Sequence, residues 1–349
     1  MNITFLLGNG FDIGLGLKTK YTDFYKVYCK QQDDDNDNIT AFKREIQLGL
    51  NKNTSIRNWS DFEIEFGEHS QDFSIEEKEK YIERFENFVI SFNEYLAKEE
   101  KNAIYSDAKK ISDKMLSAVT TYYHLREGEK NKIQLLYNDD NSRRIYNFVS
   151  FNYTRAVDKC AEILKSAIIN DSSRAVGTIM HIHGYIDENM IMGVNDSSQI
   201  KNDAFSKDPD IIAEIVKPKQ NSDIMSNYDR KLTDLINSSN IICIYGMSIG
   251  ETDKKWWDLI SKWLLNGTKR TLVILSHKKE FDKRFPFSQK KCIDPVLRRF
   301  LSFSSLNQAE KKNISQRIYI GVNHNVFEMN LEKSTYNLSP VPKEPIALS

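Results

Sequence analysis

The chain has 349 residues, in which 49 Lys and Arg balance 49 Asp and Glu, and 40% of the residues are hydrophobic. That length holds two domains, or one α/β core with a large insertion, and the zero net charge gives nucleic acid or an anionic membrane no global attraction. Cys29, Cys160, Cys243 and Cys292 form no C-x-x-C pair, arguing against a zinc ribbon or disulfide framework. No signal-peptide pattern or bilayer-length apolar run is present, so a soluble cytoplasmic protein is expected.

Ile3, Phe5, Leu6 and Leu7 read as a buried strand that Gly8-Asn9-Gly10 ends abruptly. Beyond Gly14 and Gly16, Phe24, Val27 and Tyr28 share a helical face, which predicts a helix capped by Thr22. Strand, glycine turn and helix in that order can bring a phosphate close to backbone amides. The acidic run at 31–38 reads as a solvated loop rather than a metal site, because it lacks the glycine and glutamate of a calcium loop. From Ala41 to about Leu136 the pattern is helical. Ser60 with Glu63 and Ser74 with Glu77 fit capping boxes, and Tyr81, Phe85, Phe88, Phe92 and Leu96 form an amphipathic stripe continued in kind by Ile111, Met115, Val119 and Tyr122.

From residue 143 short apolar runs alternate with helical stretches. RRIYNFVSFNYT, TIMHIHGYI, NMIMGVND, NIICIYGMS, TLVILSH and RIYIGVN are the predicted strands. Trp256, Trp257, Ile260, Trp263 and Leu264 mark one of the intervening helices as packed core or interface. The expected fold is therefore α/β: a parallel doubly wound sheet formed by 1–30 and 137–330, a helical insertion at 31–136, and an extended proline-bearing tail at 331–349. Ligands of such sheets bind beyond the carboxyl ends of strands. Those ends offer Gly8 and Gly10, Asn152 to Thr154, His183-Gly184, Gly193 to Asp196, and Gly246 with Ser248. A dehydrogenase fingerprint is missing, since Ile13 stands where its third glycine would fall. Lys217-Pro218-Lys219 reads as solvated surface.

These pieces, Gly8-Asn9-Gly10-Phe11-Asp12 with Gly16, Phe151-Asn152-Tyr153-Thr154, His183-Gly184, and Tyr245-Gly246-Met247-Ser248 with Asp253, resemble the sirtuin-like NAD-binding fold of bacterial anti-phage proteins. More narrowly, LLGNGFDIGLGLKTKYTDF, NWSDFE, SFNYT, HIHG and YGMSIGETDKKWW resemble the abortive-infection AbiH family, over residues 5 to about 257. The resemblance implies a Rossmann-like, sirtuin-type sheet and NAD as substrate or ligand. It implies Asn152 and His183 as a catalytic pair, with Gly8, Asn9, Gly10, Asp12, Gly16, Thr154, Gly184, Gly246 and Ser248 around the nucleotide. Glu63, Asn195 and Asp253 are second-rank candidates, and Asp61 shares the NWSDFE motif. The sequence departs from the sirtuin pattern at Asp12 (for a small hydroxyl residue), Lys18 (for proline) and Thr154 (for an acid). Asp12 then caps the next turn, bonds a ribose hydroxyl, or belongs to a different ligand geometry.

The implied activity is phage defence by hydrolysis of NAD, or a related nucleotide, at the nicotinamide–ribose bond, with His183 as base and Asn152 as positioner. The alternative is a non-catalytic nucleotide sensor or protein-interaction module. A nuclease is disfavoured by neutral charge and the lack of a convincing metal cluster. Expected partners are a small-molecule nucleotide, a phage-derived trigger and copies of the same chain, with no metal, membrane or nucleic acid.

Overall fold

In the computed structural model, which describes all residues but 32–35, 51–60, 123, 224–226, 278–283, 323–325 and 334–349, the strands are β1 (Asn2–Leu7), β2 (Ala103–Ile104), β3 (Arg144–Ser150), β4 (Arg174–His181), β5 (Ile241–Tyr245), β6 (Thr271–Ser276), β7 (Ile318–Val322) and β8 (Glu332–Lys333). β1 is buried on both faces and takes the centre of a parallel six-stranded sheet of order β4-β3-β1-β5-β6-β7. Numbered within that sheet the order is 3-2-1-4-5-6, a Rossmann-like topology whose switch point lies between β1 and β5.

Side chains alternate across the sheet and feed two cores. Ile3, Phe5, Leu7, Cys243 and Tyr245 pack with α1 (Asn9–Gly14), α6 (Ala108–Thr120), α7 (Glu127–Asp139) and α8 (Ala156–Ala167). Leu6, Ile242 and Ile244 pack on the other face with α11 (Tyr228–Ser238), α12 (Lys254–Leu265), α13 (Pro286–Ser302) and α14 (Gln308–Ser315). A third, aromatic core joins α2 (Tyr21–Tyr28), α3 (Asp37–Leu50), α4 (Phe62–His69) and α5 (Lys78–Lys101) to residues 192–216, which include α9 (Pro209–Ile215). The stripe Tyr81, Phe85, Phe88, Phe92 and Leu96 is the buried face of α5, whereas Ile111, Met115 and Val119 pack beneath the sheet. Helices 37–101 and 108–139 thus serve different cores.

Three local expectations are corrected. Helix α1 starts at Asn9, directly behind an extended Gly8, and α2 starts at Tyr21 with Lys20, not Thr22, in the capping position. NMIMGVND forms no strand: Asn189 and Gly193 have φ of +53° and +139°, which break extended pairing, and Val194 makes only an isolated bridge to Val216. The predicted third strand is β4, which begins earlier and ends at His181, before His183. The Ser74–Glu77 capping box is present; Ser60 of the other predicted box, part of the acidic run and most of the tail lie outside the described residues. Glu332–Lys333 pairs antiparallel with Ala103–Ile104.

Candidate functional site

Register sets the site. Leu7 pairs with Ser150 and Tyr245, and Ser150 with His181, so the chain leaves four adjacent strands at one level. At the switch point the loops that follow β1 and β5 touch backbone to backbone. The amides of Gly8 and Gly10 donate to the carbonyls of Tyr245 and Gly246 at 2.9 and 2.8 Å. A Cβ on Gly10 would lie 2.4 Å from the Gly246 Cα, and Gly246 itself has φ +69°, so both positions require glycine. These glycines close the loops on each other, and the Gly10 amide is therefore committed inside the protein.

Under this contact lies a closed polar network. Asp12 is 1% exposed and accepts from Asn152 Nδ2 at 2.8 Å and from Thr154 Oγ1 at 2.7 Å. Burial raises its carboxyl to about 7, against the pull of those two donors. Asn152 Nδ2 also donates to the Gly8 carbonyl at 3.1 Å, which uses both amide hydrogens and leaves Oδ1 as its remaining polar atom. The Asn152 carbonyl accepts from His181 Nδ1 at 2.9 Å, while His181 Nε2 meets Asp158 Oδ2 at 2.6 Å. Every ring nitrogen here is engaged.

Beside it is an open network around a cavity of about 180 Å³, walled by Tyr21, Phe92, Phe151 and Tyr153. His183 lies in its lining with Nδ1 buried and without a hydrogen-bond partner among the described residues, and Nε2 3.6 Å from Asp253 Oδ1. Burial and the nearby Lys217 ammonium lower the imidazole's pKa, outweighing the opposing carboxylates, so the ring is neutral near pH 7. Burial pushes Asp253 upward, but the His183 ring and Lys217 outweigh it and hold the carboxyl below its usual value. Lys217 Nζ donates to Glu63 Oε2 at 2.7 Å, and Glu63 Oε1 accepts from the Gly193 amide at 3.3 Å. Burial raises Glu63, while Glu63, Asp253 and Asp61 raise Lys217 against its own burial, and the two side chains meet as a salt bridge. Among the described residues no group of three His, Cys, Asp or Glu is placed to hold a metal.

A second cavity, about 830 Å³, adjoins across the glycine contact and shares Asn9, Gly246, Met247 and Ser248 with the first. It runs along the ends of β5 and β6 and includes Lys20, His277 and Arg299 in its lining.

The profile described as "Bacteriophage abortive infection AbiH" matches residues 4–275, a stretch that contains every residue of the small cavity. The chain belongs to the AbiH family. No curated protein matches it.

In this AbiH protein the small cavity brings together Gly8, Asn9, Asp12, Asn152, Thr154, His183, Gly246 and Ser248, with Glu63 and Asp253 from the second rank. Gly10 lines only the larger cavity. Gly16, at φ +91°, packs against residues 330–331, and Gly184, at φ +69°, makes the tight turn to Asn189, so neither reaches the small cavity. Asn195 ties its loop to the Glu251 carbonyl at 2.8 Å instead. Trp257 is buried and donates to the Gly250 carbonyl at 2.9 Å, which steadies the loop carrying Ser248 and Asp253.

Lys217 is the residue that sequence reasoning misplaced, since it is buried rather than solvated. The apolar run Ile211 to Val216 before it was the available signal. Among the described residues no helix is long and apolar enough to cross a membrane.

Proposed function

We propose that this AbiH protein is an abortive-infection effector that binds NAD, or a related nucleotide, and hydrolyses it at the nicotinamide–ribose bond. The observation that carries the reading is the buried, neutral His183 whose Nδ1 has no partner among the described residues, in an aromatic-walled cavity where Glu63 and Asp253 outnumber Lys217. Excess negative charge between aromatic faces favours a flat cation such as a pyridinium, and then the oxocarbenium-like ribosyl centre that forms as it leaves. The small cavity suits the ribosyl-pyridinium end alone. The diphosphate and adenosine belong in the larger cavity, beside Lys20 and Arg299.

In this reading the C1′–N bond breaks with its electron pair going to nicotinamide, and a water oxygen bonds to C1′. His183 Nδ1 takes the water's proton, and Asp253 stabilises the imidazolium. Asn152 contributes Oδ1, which accepts from the water or a ribose hydroxyl and holds it in place. The resemblance of the sequence motifs to the sirtuin-like fold implies the same pair. A phage-derived trigger, cytoplasmic action and self-assembly belong to this proposal.

The test is nicotinamide release from NAD by purified protein, with and without lysate of phage-infected cells. Release that disappears in the Asn152→Ala, His183→Ala double variant is expected. Release absent under both conditions, or undiminished in that variant, overturns the reading. One observation favours the alternative of a non-catalytic protein-interaction module. The Gly10 and Phe11 amides of α1 are bonded to the Gly246 and Gly8 carbonyls, leaving the glycine loop little with which to cradle a phosphate. The absence of both NAD binding and nicotinamide release from both arms would select that reading.

A further inference from the structure

We infer that Glu63 and Lys217 read the vicinal hydroxyls of the bound ribose, making this buried pair the site's selector for a ribonucleotide over a deoxyribonucleotide. This rests on the nucleotide reading above.

The pair has unused hydrogen-bonding capacity. Lys217 carries three donors, of which one is used among the described residues, on Glu63; there the Glu63 oxygens accept one hydrogen bond each and retain lone pairs. Their side chains are only 6% and 9% exposed. Unmatched donors of a buried ammonium are costly, so their place in the cavity wall points to a ligand oxygen. The unpartnered His183 Nδ1 in the same lining is an independent sign that a polar ligand completes the cavity.

The pair is also separate from the strand ends. Glu63 stands in the first turn of α4, and Lys217 opens the helix Lys217–Asp223 just after the Val194–Val216 bridge. A salt bridge serving only to join these elements would add little net stability and would not need a place in the cavity wall.

The chemistry of the ligand follows from the two groups. Adjacent hydroxyls each donate and accept, so one can donate to the carboxylate while its neighbour accepts from the ammonium. A phosphate would meet Glu63 and Asp253 as like charges, and an apolar ring would leave the Lys217 donors unmatched.

The experiment measures binding to the full-length protein by calorimetry. The ligands are a carbocyclic NAD analogue, which keeps both hydroxyls on the nicotinamide side and is not hydrolysed, and its counterparts lacking the 2′ or the 3′ hydroxyl. The intact analogue is expected to bind about 10- to 100-fold more tightly than either counterpart, the range for hydrogen bonds to charged groups. Lys217→Met and Glu63→Gln should reduce that ratio to within about threefold, by weakening the intact analogue and sparing the deoxy forms.

Equal binding of all three ligands by the unmodified protein overturns the inference while leaving the nucleotide reading intact. Binding of none defeats the nucleotide reading itself. A ratio that persists in folded variants overturns the assignment to this pair. The ligand comparison on the unmodified protein decides the matter even if a variant fails to fold.

Discussion

His181 and His183 stand two residues apart and serve networks of opposite character. His181 is saturated, with one nitrogen on the Asn152 carbonyl and the other on Asp158, in a network where the Asn152 and Thr154 side chains both donate to Asp12. His183 is incomplete, with Nδ1 unpartnered among the described residues and Nε2 beyond ordinary hydrogen-bond length from Asp253. Both rings are buried, so burial does not separate them. Satisfaction does: a closed network holds the strand-end loops, and an open one has capacity left for a ligand.

The largest effect is expected at His183. His183→Ala should lower nicotinamide release by about 10²- to 10⁴-fold, the usual contribution of a general base, with little change in the melting temperature because no partnered hydrogen bond is lost. Activity assays and thermal melts on the same preparation check both halves. A large fall in stability would place His183 with the structural residues.

At His181 the pattern should invert. His181→Ala strips a partner from the Asn152 carbonyl and from Asp158, and should destabilise the fold by about 3 kcal/mol, the low end for a broken buried pair because Asp158 retains some contact with water. Urea denaturation measures it. A loss below about 0.5 kcal/mol, the level of ordinary surface substitutions, would show that the network is not what holds the loops.

The closed network also has a pH signature. Asp12 titrates near its folded value of about 7 rather than its ordinary 3.8. Between those values the unfolded chain has lost the proton that the folded chain keeps, so Asp12's contribution to stability falls as pH rises, by up to about 1.4 kcal/mol per pH unit. The contribution is fully present below about pH 4 and gone above about pH 7. Asp12→Asn keeps an acceptor for Asn152, and a Thr154 hydroxyl can reverse to accept from the new amide. The variant should therefore gain on the unmodified protein steadily from pH 4 to 7. Parallel pH profiles of unfolding would erase the assignment.

Much of this division was legible in the sequence, and the illegible part has a common cause. Gly8, Asn152, His183 and Gly246 could be collected because each follows a short apolar run, and the parallel register brings such ends to one level. Helix α1 could not be read from Gly-Asn-Gly, since its start at Asn9 is fixed by the contact of Gly10 with Gly246, distant in sequence. Lys217 beside a proline looked like surface; the bridge of Val194 to Val216 buries it. Glu63 fitted a helix cap, and only the fold supplied its partners Gly193 and Lys217. Local pattern reports strand ends, whereas the pairing of polar groups across the cavity is a tertiary property.

The smallest effect falls on the open network, at Asp253. Asp253 favours the charged form of His183, so Asp253→Asn should let the imidazole's pKa fall further and move the acidic limb of the rate profile to lower pH. The plateau should drop as well, because the imidazolium formed in the reaction loses its counter-charge. At 3.6 Å the contact is longer than a hydrogen bond, so the loss should be only about fivefold, equivalent to about 1 kcal/mol. A merely structural Asp253 would lower the rate equally at every pH. Movement of the limb with a modest drop identifies the carboxylate as acting through His183, and a fixed limb would leave His183 to work without it.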